Sequence, residues 1–190
     1  MVITIKKEIY NSFIGYSLKE AFGDKHSDLD IFNEKSEYIV IYNNDEIASI
    51  GRLTKCPNGV FFTWSNGSSN FSNGSDTVDL GRCMVSKKYR GGIYYDFLIT
   101  YCFKFAFLNG FKFVNGSTII NRQMVDRLIV YGFSKSGNPI LAIEPDGKEY
   151  QLQAYVVDLV KTKEIWSNIL EECLSKFKTE GYIIIDKACI

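Results

Sequence analysis

The pattern of hydrophobic and polar positions along the chain changes repeatedly between a period of two and a period near 3.6 residues. Alternation rich in β-branched and aromatic residues predicts strands at 2–5, 38–43, 46–53, 60–64, 77–85, 112–120, 139–144 and 149–159. Helical periodicity or a long apolar run predicts helices at 8–22, 93–108, 121–133 and 161–178. The expected buried face of the first helix carries Ile9, Phe13, Tyr16 and Leu18. The tail 182–190 can add a strand.

The order of these elements predicts the fold class. Asn44-Asp45 between two β-rich runs indicates a hairpin, and the Ser/Asn/Gly tract 64–76 favours a substrate loop. A meander followed by strand–helix units predicts an α/β (α+β) fold, with a mixed central sheet flanked by helices and an added C-terminal helix. We expect one domain at 1–160, with the helix and tail 161–190 packed on it.

Composition narrows the classes of function. The chain has 190 residues, 46% of them hydrophobic, which suffices for a sizeable core. Lys plus Arg number 22 and Asp plus Glu number 22, so the net charge of zero argues against a broad basic surface for nucleic acid. No apolar run approaches the roughly 20 residues of a membrane helix. Five cysteines without a CxxC pair predict a reducing, cytoplasmic location.

The chain contains a single histidine, which limits the acid–base chemistry that is open to it. The single histidine, His26, lies in the polar stretch GDKHSD, which is typical of a loop. A Ser-His-Asp or Cys-His triad would have to use this residue, and a histidine-rich zinc site is excluded by the count, so we expect no metal. Acid–base chemistry near neutral pH must therefore come from carboxylates, Tyr, Cys, Lys or an ordered water.

A glycine turn between a strand and a helix is the first motif that carries chemistry. The strand Val78–Val85 runs into Tyr89-Arg90-Gly91-Gly92-Ile93 and then the apolar helix. A helix N-terminus offers free N–H groups and a positive dipole end, and glycine lets a phosphate approach closely.

This strand–turn–helix unit resembles the GNAT acyltransferase superfamily, in which such a turn holds the pyrophosphate of coenzyme A or the phosphopantetheine of an acyl carrier. The resemblance implies donor contacts from a set of residues that includes the backbone near Met84 and Val85. The set is Met84, Val85, Lys87, Arg90, Gly91, Gly92, Ile93 and Asn121. The turn is one residue shorter than the usual Arg-Gly-x-Gly spacing, and Tyr94 stands where glycine is common.

The second motif is the helix that Asn121 opens and that ends at Tyr131-Gly132-Phe133. GNAT proteins often show this asparagine and the Gly-Phe pair. Many also have a tyrosine four residues before the glycine that protonates the leaving thiolate. Leu128 occupies that position here, which leaves Tyr131 or a water as the acid.

Four charged residues point to a branch of the superfamily. Asp30 precedes the first meander strand, Arg52 follows Gly51, and Asp79 and Arg82 form an acidic-x-x-Arg motif. This set resembles the acyl-homoserine lactone synthases and the N-acyl amino acid synthases. Strict alternation places residues 79 and 82 on opposite faces, so they can share a site only across a bulge, for which Gly81 is suited.

The resemblance implies transfer of an acyl group from a thioester, carried by acyl-CoA or an acyl carrier protein, to the amine of an amino-acid-like small molecule. Asp79 is the first candidate for the base and Asp30 the second, acting through water. Arg52 or Arg82 can clamp a carboxylate of the acceptor. Two alternatives stay open: an ordinary GNAT N-acetyltransferase that uses acetyl-CoA on a small amine or a protein, and a non-catalytic GNAT-fold binding module.

Overall fold

A computed structural model of the chain describes residues 1–22, 35–55, 74–120, 124–143 and 149–189. Two predicted site residues, Asp30 and Asn121, and the predicted strand at 60–64 lie outside these ranges. The strands are β1 (Val2–Ile9), β2 (Ser36–Asn43), β3 (Glu46–Lys55), β4 (Thr77–Val85), β5 (Phe113–Ile119), β6 (Ser134–Ile143), β7 (Glu149–Asp158) and β8 (Ile183–Asp186). The helices are α1 (Ser12–Phe22), α2 (Tyr94–Leu108), α3 (Met124–Val130) and α4 (Lys163–Thr179).

The described strands form one mixed sheet in the order β6-β7-β5-β4-β3-β2-β1-β8. Neighbours are antiparallel except for β4–β5 and β1–β8, which are parallel. One apolar cluster joins the sheet to α2 and α4, and a smaller one joins the other face to α1. We call these the α2 face and the α1 face. The predicted α/β class, with a mixed sheet between helices, is confirmed.

The hairpin predicted at Asn44-Asp45 is present between β2 and β3. Asn44 has a φ of 54°, in the left-handed region that asparagine tolerates better than most residues. The tail also forms the predicted strand, because β8 pairs parallel with β1 from Val2↔Ile183 to Ile5↔Asp186.

The N-terminal segment differs from the prediction. Strand β1 extends to Ile9, and α1 begins only after Asn11, whose Oδ1 accepts the Phe13 and Ile14 N–H groups at 3.1 and 3.0 Å. The predicted buried face of the helix was wrong, except for Leu18: Phe13 and Tyr16 are exposed, and Ile14 is buried instead. Asn11 caps the helix by accepting these first-turn N–H groups, which fixes the start of α1 after Asn11 instead of at residue 8.

Helix α2 is enclosed on nearly all sides, as its continuous apolar run predicts. Its rings pack on other core rings: Phe97 on Phe177 at a centroid distance of 5.1 Å, and Phe103 on Phe133 at 5.4 Å. Phe97 and Phe103 are both fully buried. These aromatic side chains therefore belong to the hydrophobic core that fixes α2, and through it the glycine turn, against the sheet.

Candidate functional site

Strands β4 and β5 are paired at one end and separate at the other. Their parallel register runs only from Thr77↔Phe113 to Asp79↔Asn115. Beyond that point β4 continues along β3 as far as Val85, and β5 continues along β7 as far as Ile119. The pairing of the two strands thus ends at Asp79, after which each strand follows a different neighbour. We call the region between their unpaired edges the cleft.

A bulge interrupts β4 inside this cleft. Ile50 is opposite Met84 and Arg52 is opposite Gly81, so Arg82 and Cys83 together face the single residue Gly51. Arg82 takes the left-handed conformation with a φ of 52°, a strained geometry for a residue other than glycine. The sequence predicts a bulge here, and the structure places its extra residue at Arg82–Cys83 rather than at Gly81.

The bulge is followed by a backbone N–H that points toward the cleft. The Ser86 N–H donates to Ala48 O of β3 at 2.9 Å. Since consecutive strand residues direct their N–H groups to opposite edges, the N–H of Val85 points away from β3, toward the open side of β4. Arg90 lies at the same edge, because its Nε donates to Val85 O at 3.2 Å.

Buried polar residues gather on the α1 face where β4 and β5 part. Arg52 is opposite Gly81, and its Nη2 lies 3.7 Å from the position that a Cβ on Gly81 would take. Asp79 is opposite Thr54 in β3 and level with Asn115 in β5. The members of this polar cluster, all of them buried, are Ser36, Arg52, Thr54, Asp79 and Asn115.

The structure therefore places Arg52 and Asp79 as diagonal neighbours on one face of adjacent strands, within reach of a long side chain. Arg82 is half-buried in the bulge. The sequence interpretation missed Ser36, Thr54 and Asn115. A signal for Thr54 was available, because it is two residues from Arg52 and a strand places such residues on one face. Ser36 Oγ and Thr54 Oγ1 share a hydrogen bond of 2.7 Å across β2 and β3.

The glycine turn connects the cleft to α2. Lys87–Tyr89 form one 3₁₀ turn, Arg90 is extended, and Gly91 has a φ of 80°. A Cβ on Gly91 would meet nothing within 4 Å, so the backbone is open on that side. Ile93 precedes the first helical residue, Tyr94, and the first-turn N–H groups of a helix have no acceptor within it.

Helix α3 is tied to the first turn of α2 by a carboxylate. The Tyr131 hydroxyl donates to Asp96 Oδ1 at 2.5 Å, and Arg127 Nη2 donates to the same atom at 2.9 Å. Tyr131 is fully buried, and burial together with the Asp96 hydrogen bond raises its pKa well above 10. This hydroxyl holds its proton against the half-buried carboxylate of Asp96, so it is poorly suited to donate that proton elsewhere. Leu128 is a core residue.

The hydrogen bond from the Tyr131 hydroxyl to Asp96 predicts how Tyr131→Phe changes the pH dependence of the free energy of unfolding. The pKa of the Tyr131 hydroxyl is higher in the folded protein than in the unfolded protein, where it is near 10. The protonated hydroxyl therefore stabilises the fold fully below pH 10, and this stabilisation is lost as the pH rises toward the folded-state pKa. At pH 8 we expect the variant to be less stable by about 1–3 kcal/mol, since a hydrogen bond to a charged group is lost. Urea unfolding at pH 8, 10 and 11 should show this difference shrinking above pH 10. A difference that stays constant would contradict the assignment.

Cys83 lies in the bulge but is poorly suited to attack a thioester. Burial raises the pKa of its thiol to about 12, against a smaller opposite effect of the Arg52 charge. The thiolate is the reactive form, so little of it exists near neutral pH. Cys83 is therefore a poor candidate for a nucleophile at neutral pH.

The described ranges contain neither a candidate metal site nor a helix suited to span a membrane. Within these ranges no cluster of three or more His, Cys, Asp or Glu residues could hold a metal ion. No helix among the same residues is long and apolar enough to cross a membrane.

The fold that contains the diverging parallel strands, the bulge and the glycine turn before a helix is shared with solved acyltransferases. CoA-dependent acyl-homoserine lactone synthases are among the similar structures. One is BjaI with SAM and isopentyl-CoA (TM-score 0.63, 14% identity, 98% of this chain and 93% of that one). Another is MesI (TM-score 0.63, 15% identity, 96% and 98%).

Ordinary acetyltransferases share the fold over a shorter part of this chain. An acetyltransferase of Bacillus subtilis in complex with CoA superposes with a TM-score of 0.58 and 16% identity, covering 83% of this chain and 99% of its own. No protein-family model matches the sequence, and no curated protein matches it. The GNAT fold predicted from the strand–turn–helix motif is therefore confirmed.

Proposed function

We propose that the protein is an N-acyltransferase that moves an acyl group from a thioester donor to the amine of an amino-acid-like small molecule. The observation that carries the proposal is the cleft that opens between β4 and β5 directly beside the buried Asp79 and ends at the glycine turn. A pantetheine arm is slender enough to enter between two strands. A carboxylate at the base of the cleft is placed to act on an incoming amine.

The donor side of the site consists mainly of backbone. The Val85 N–H at the cleft edge is placed to bind the thioester carbonyl and to stabilise the oxyanion that follows. Gly91, Gly92 and the N-terminal amides of α2 at Ile93 and beyond are suited to the donor phosphates. Lys87 and Arg90 add positive charge. We propose the same donor role for Asn121, three residues before α3 in the sequence, and for the Met84 backbone.

The acceptor side lies on the α1 face. Asp79 accepts a proton from the ammonium group of the acceptor through water, and the neutral amine attacks the carbonyl carbon. The C–N bond forms and the C–S bond breaks, and the second proton that the nitrogen loses as the amide forms passes through water to the leaving thiolate. Arg52, only 2% exposed, is assigned to positioning Asp79. Arg82 is assigned to the acceptor carboxylate, since a guanidinium binds it with two parallel hydrogen bonds.

Two features of the neighbours bear on the substrates. The synthase BjaI was solved with SAM and isopentyl-CoA and matches nearly the whole chain, whereas the acetyltransferase of Bacillus subtilis matches a shorter part. This favours a longer acyl group and an amino-acid-like acceptor over acetyl transfer. Asp30 is proposed as a second acidic residue for the acceptor. The reaction fits the cytoplasm, where the donors are made and where the cysteine content of the chain is ordinary.

The proposal is tested by incubating the purified protein with acyl-CoA donors of increasing chain length, with acylated acyl carrier protein, and with SAM or amino acids as acceptors. Release of free thiol is followed by absorbance and the products by mass spectrometry. N-acyl amino acids or acyl-homoserine lactones are the expected products. Transfer of acetyl groups only would support an ordinary acetyltransferase. Binding of CoA without turnover by any donor would support a binding module.

A further inference from the structure

The glycine turn contacts the β2–β3 hairpin at three points. The Ser86 N–H donates to Ala48 O at 2.9 Å. Asn43 Nδ2 donates to the Tyr94 hydroxyl at 2.8 Å, and both residues are buried. Between these two points, the Glu46 carboxylate accepts from the turn itself. The hairpin therefore contacts the turn before, within and after its 3₁₀ segment.

Glu46 makes the central contact through one oxygen atom. Lys88 Nζ donates to Glu46 Oε2 at 2.5 Å, and the Tyr89 hydroxyl donates to the same oxygen at 2.8 Å. The hydrogen bonds from Lys88 and Tyr89, together with the Lys88 charge, lower the pKa of Glu46, so it is charged at neutral pH. One carboxylate thus fixes two consecutive side chains immediately before Arg90 and Gly91.

The backbone holds the first half of the turn more firmly than the second. The Tyr89 N–H donates to Ser86 O at 2.9 Å, whereas the next hydrogen bond, from the Arg90 N–H to Lys87 O, is long at 3.5 Å. Gly91 has a left-handed φ of 80°, and a side chain there would meet nothing within 4 Å. The rings of Tyr89 and Tyr94 contact each other at a centroid distance of 5.0 Å, which links the turn to α2. Side-chain contacts therefore supplement the backbone where it is least constrained, at Arg90 and Gly91.

We infer that Glu46 is a positioning residue for the donor: by holding Lys88 and Tyr89 it keeps the glycine turn in the shape that accepts the donor phosphates. This inference rests on the proposed function and deepens it. Glu46 lies on the hairpin and away from the cleft, so it acts on donor affinity and leaves the chemical step unchanged. Tyr94, which replaces a common glycine, has a related role through Asn43.

The direction of the effect separates this inference from simple electrostatics. Replacing Glu46 by glutamine removes a negative charge near a site for a polyanion, which by charge alone strengthens CoA binding. Loss of the contacts by which Glu46 holds Lys88 and Tyr89 weakens CoA binding instead. The expected change in CoA affinity is modest, because exposed ion pairs contribute little and the Lys88 and Glu46 side chains are 64% and 60% exposed.

The test measures the affinity for coenzyme A by calorimetry and steady-state kinetics with saturating acceptor. For Glu46→Gln we expect the Kd for CoA and the KM for acyl-CoA to rise about fivefold, with kcat within about twofold of the parent. Tyr89→Phe, which changes no charge, should raise the Kd about twofold to threefold. Glu37→Gln is the matched control, because Glu37 pairs with Lys7 at 3.3 Å on the neighbouring strand β2; its Kd should not change.

Unchanged or tighter CoA binding by Glu46→Gln, with a parent protein that binds CoA, would overturn the inference and leave the proposed function standing. A fall in kcat without a change in KM would also overturn it. Failure of the parent protein to bind either CoA or acyl carrier protein would reject the proposed function and the inference together. Thermal unfolding of each variant checks that the fold is retained.

Discussion

Asp79→Asn is expected to lower kcat for acyl transfer by about a hundredfold or more, because it removes the proton acceptor, and with it a negative charge, beside the cleft. Asparagine has nearly the same shape and still accepts a hydrogen bond, so the polar cluster keeps its packing. CoA binding should remain within about twofold of the parent, since the donor contacts lie farther along β4 and in the turn. The measurements are initial rates of thiol release and calorimetric CoA affinity.

The control is Glu164→Gln, which removes the same charge from an exposed residue on α4, on the opposite face of the sheet. It should leave kcat unchanged. The pH–rate profile of Asp79→Asn gives an independent criterion: the acidic limb that reports the base should disappear. If Asp79→Asn keeps the parent kcat, Asp79 is not the base, and Asp30 becomes the candidate.

Gly132→Ala is expected to have the largest effect on stability, about 3 kcal/mol. Gly132 lies two residues after α3 and has a φ of 90°. A Cβ at this position would lie 2.8 Å from Thr162 Cγ2 and 2.9 Å from Thr162 Cβ. The substitution therefore combines a strained backbone with a clash against the turn between β7 and α4. Urea unfolding measures the loss.

Two further variants separate the cost of the strained backbone from the cost of the clash with Thr162. Gly110→Ala places a Cβ at a similar φ of 84° but in open space, so it should cost only the backbone term of about 1–2 kcal/mol. Adding Thr162→Ser to Gly132→Ala removes the nearest methyl group and keeps the 2.7 Å hydrogen bond from the hydroxyl to Asp158 O. The double variant should recover part of the stability. Equal losses for Gly132→Ala and Gly110→Ala would contradict the clash.

Most of the described fold could be predicted from the periodicity of the sequence. The long apolar run of α2 and the amphipathic pattern of α4 gave their positions within two residues, because a buried helix needs apolar residues on the sides that it covers. The start of α1 was wrong because Asn11 caps it two residues after β1 ends. Local capping competes with hydrophobic periodicity, and the sequence pattern alone does not say which prevails.

The site was predicted in part, at the level of individual strands. The acidic-x-x-Arg motif and the glycine turn follow one another along the chain, so their neighbourhood could be inferred directly. Asn115 and Glu46 could not be found in this way. Asn115 meets Asp79 only because β5 pairs with β4, and Glu46 meets Lys88 only because the hairpin folds beside the turn. Contacts between distant segments depend on strand order and register.

The sequence by itself determined the classes of chemistry that are open to this protein, since one histidine and a zero net charge leave carboxylates, backbone amides and water to do the work. It also determined most of the strands and helices. The tertiary structure decided where β4 and β5 part, which residue occupies the bulge, and which polar groups share the α1 face. Those outcomes depend on pairing across the sheet and on burial between segments far apart in the chain, neither of which a local pattern contains.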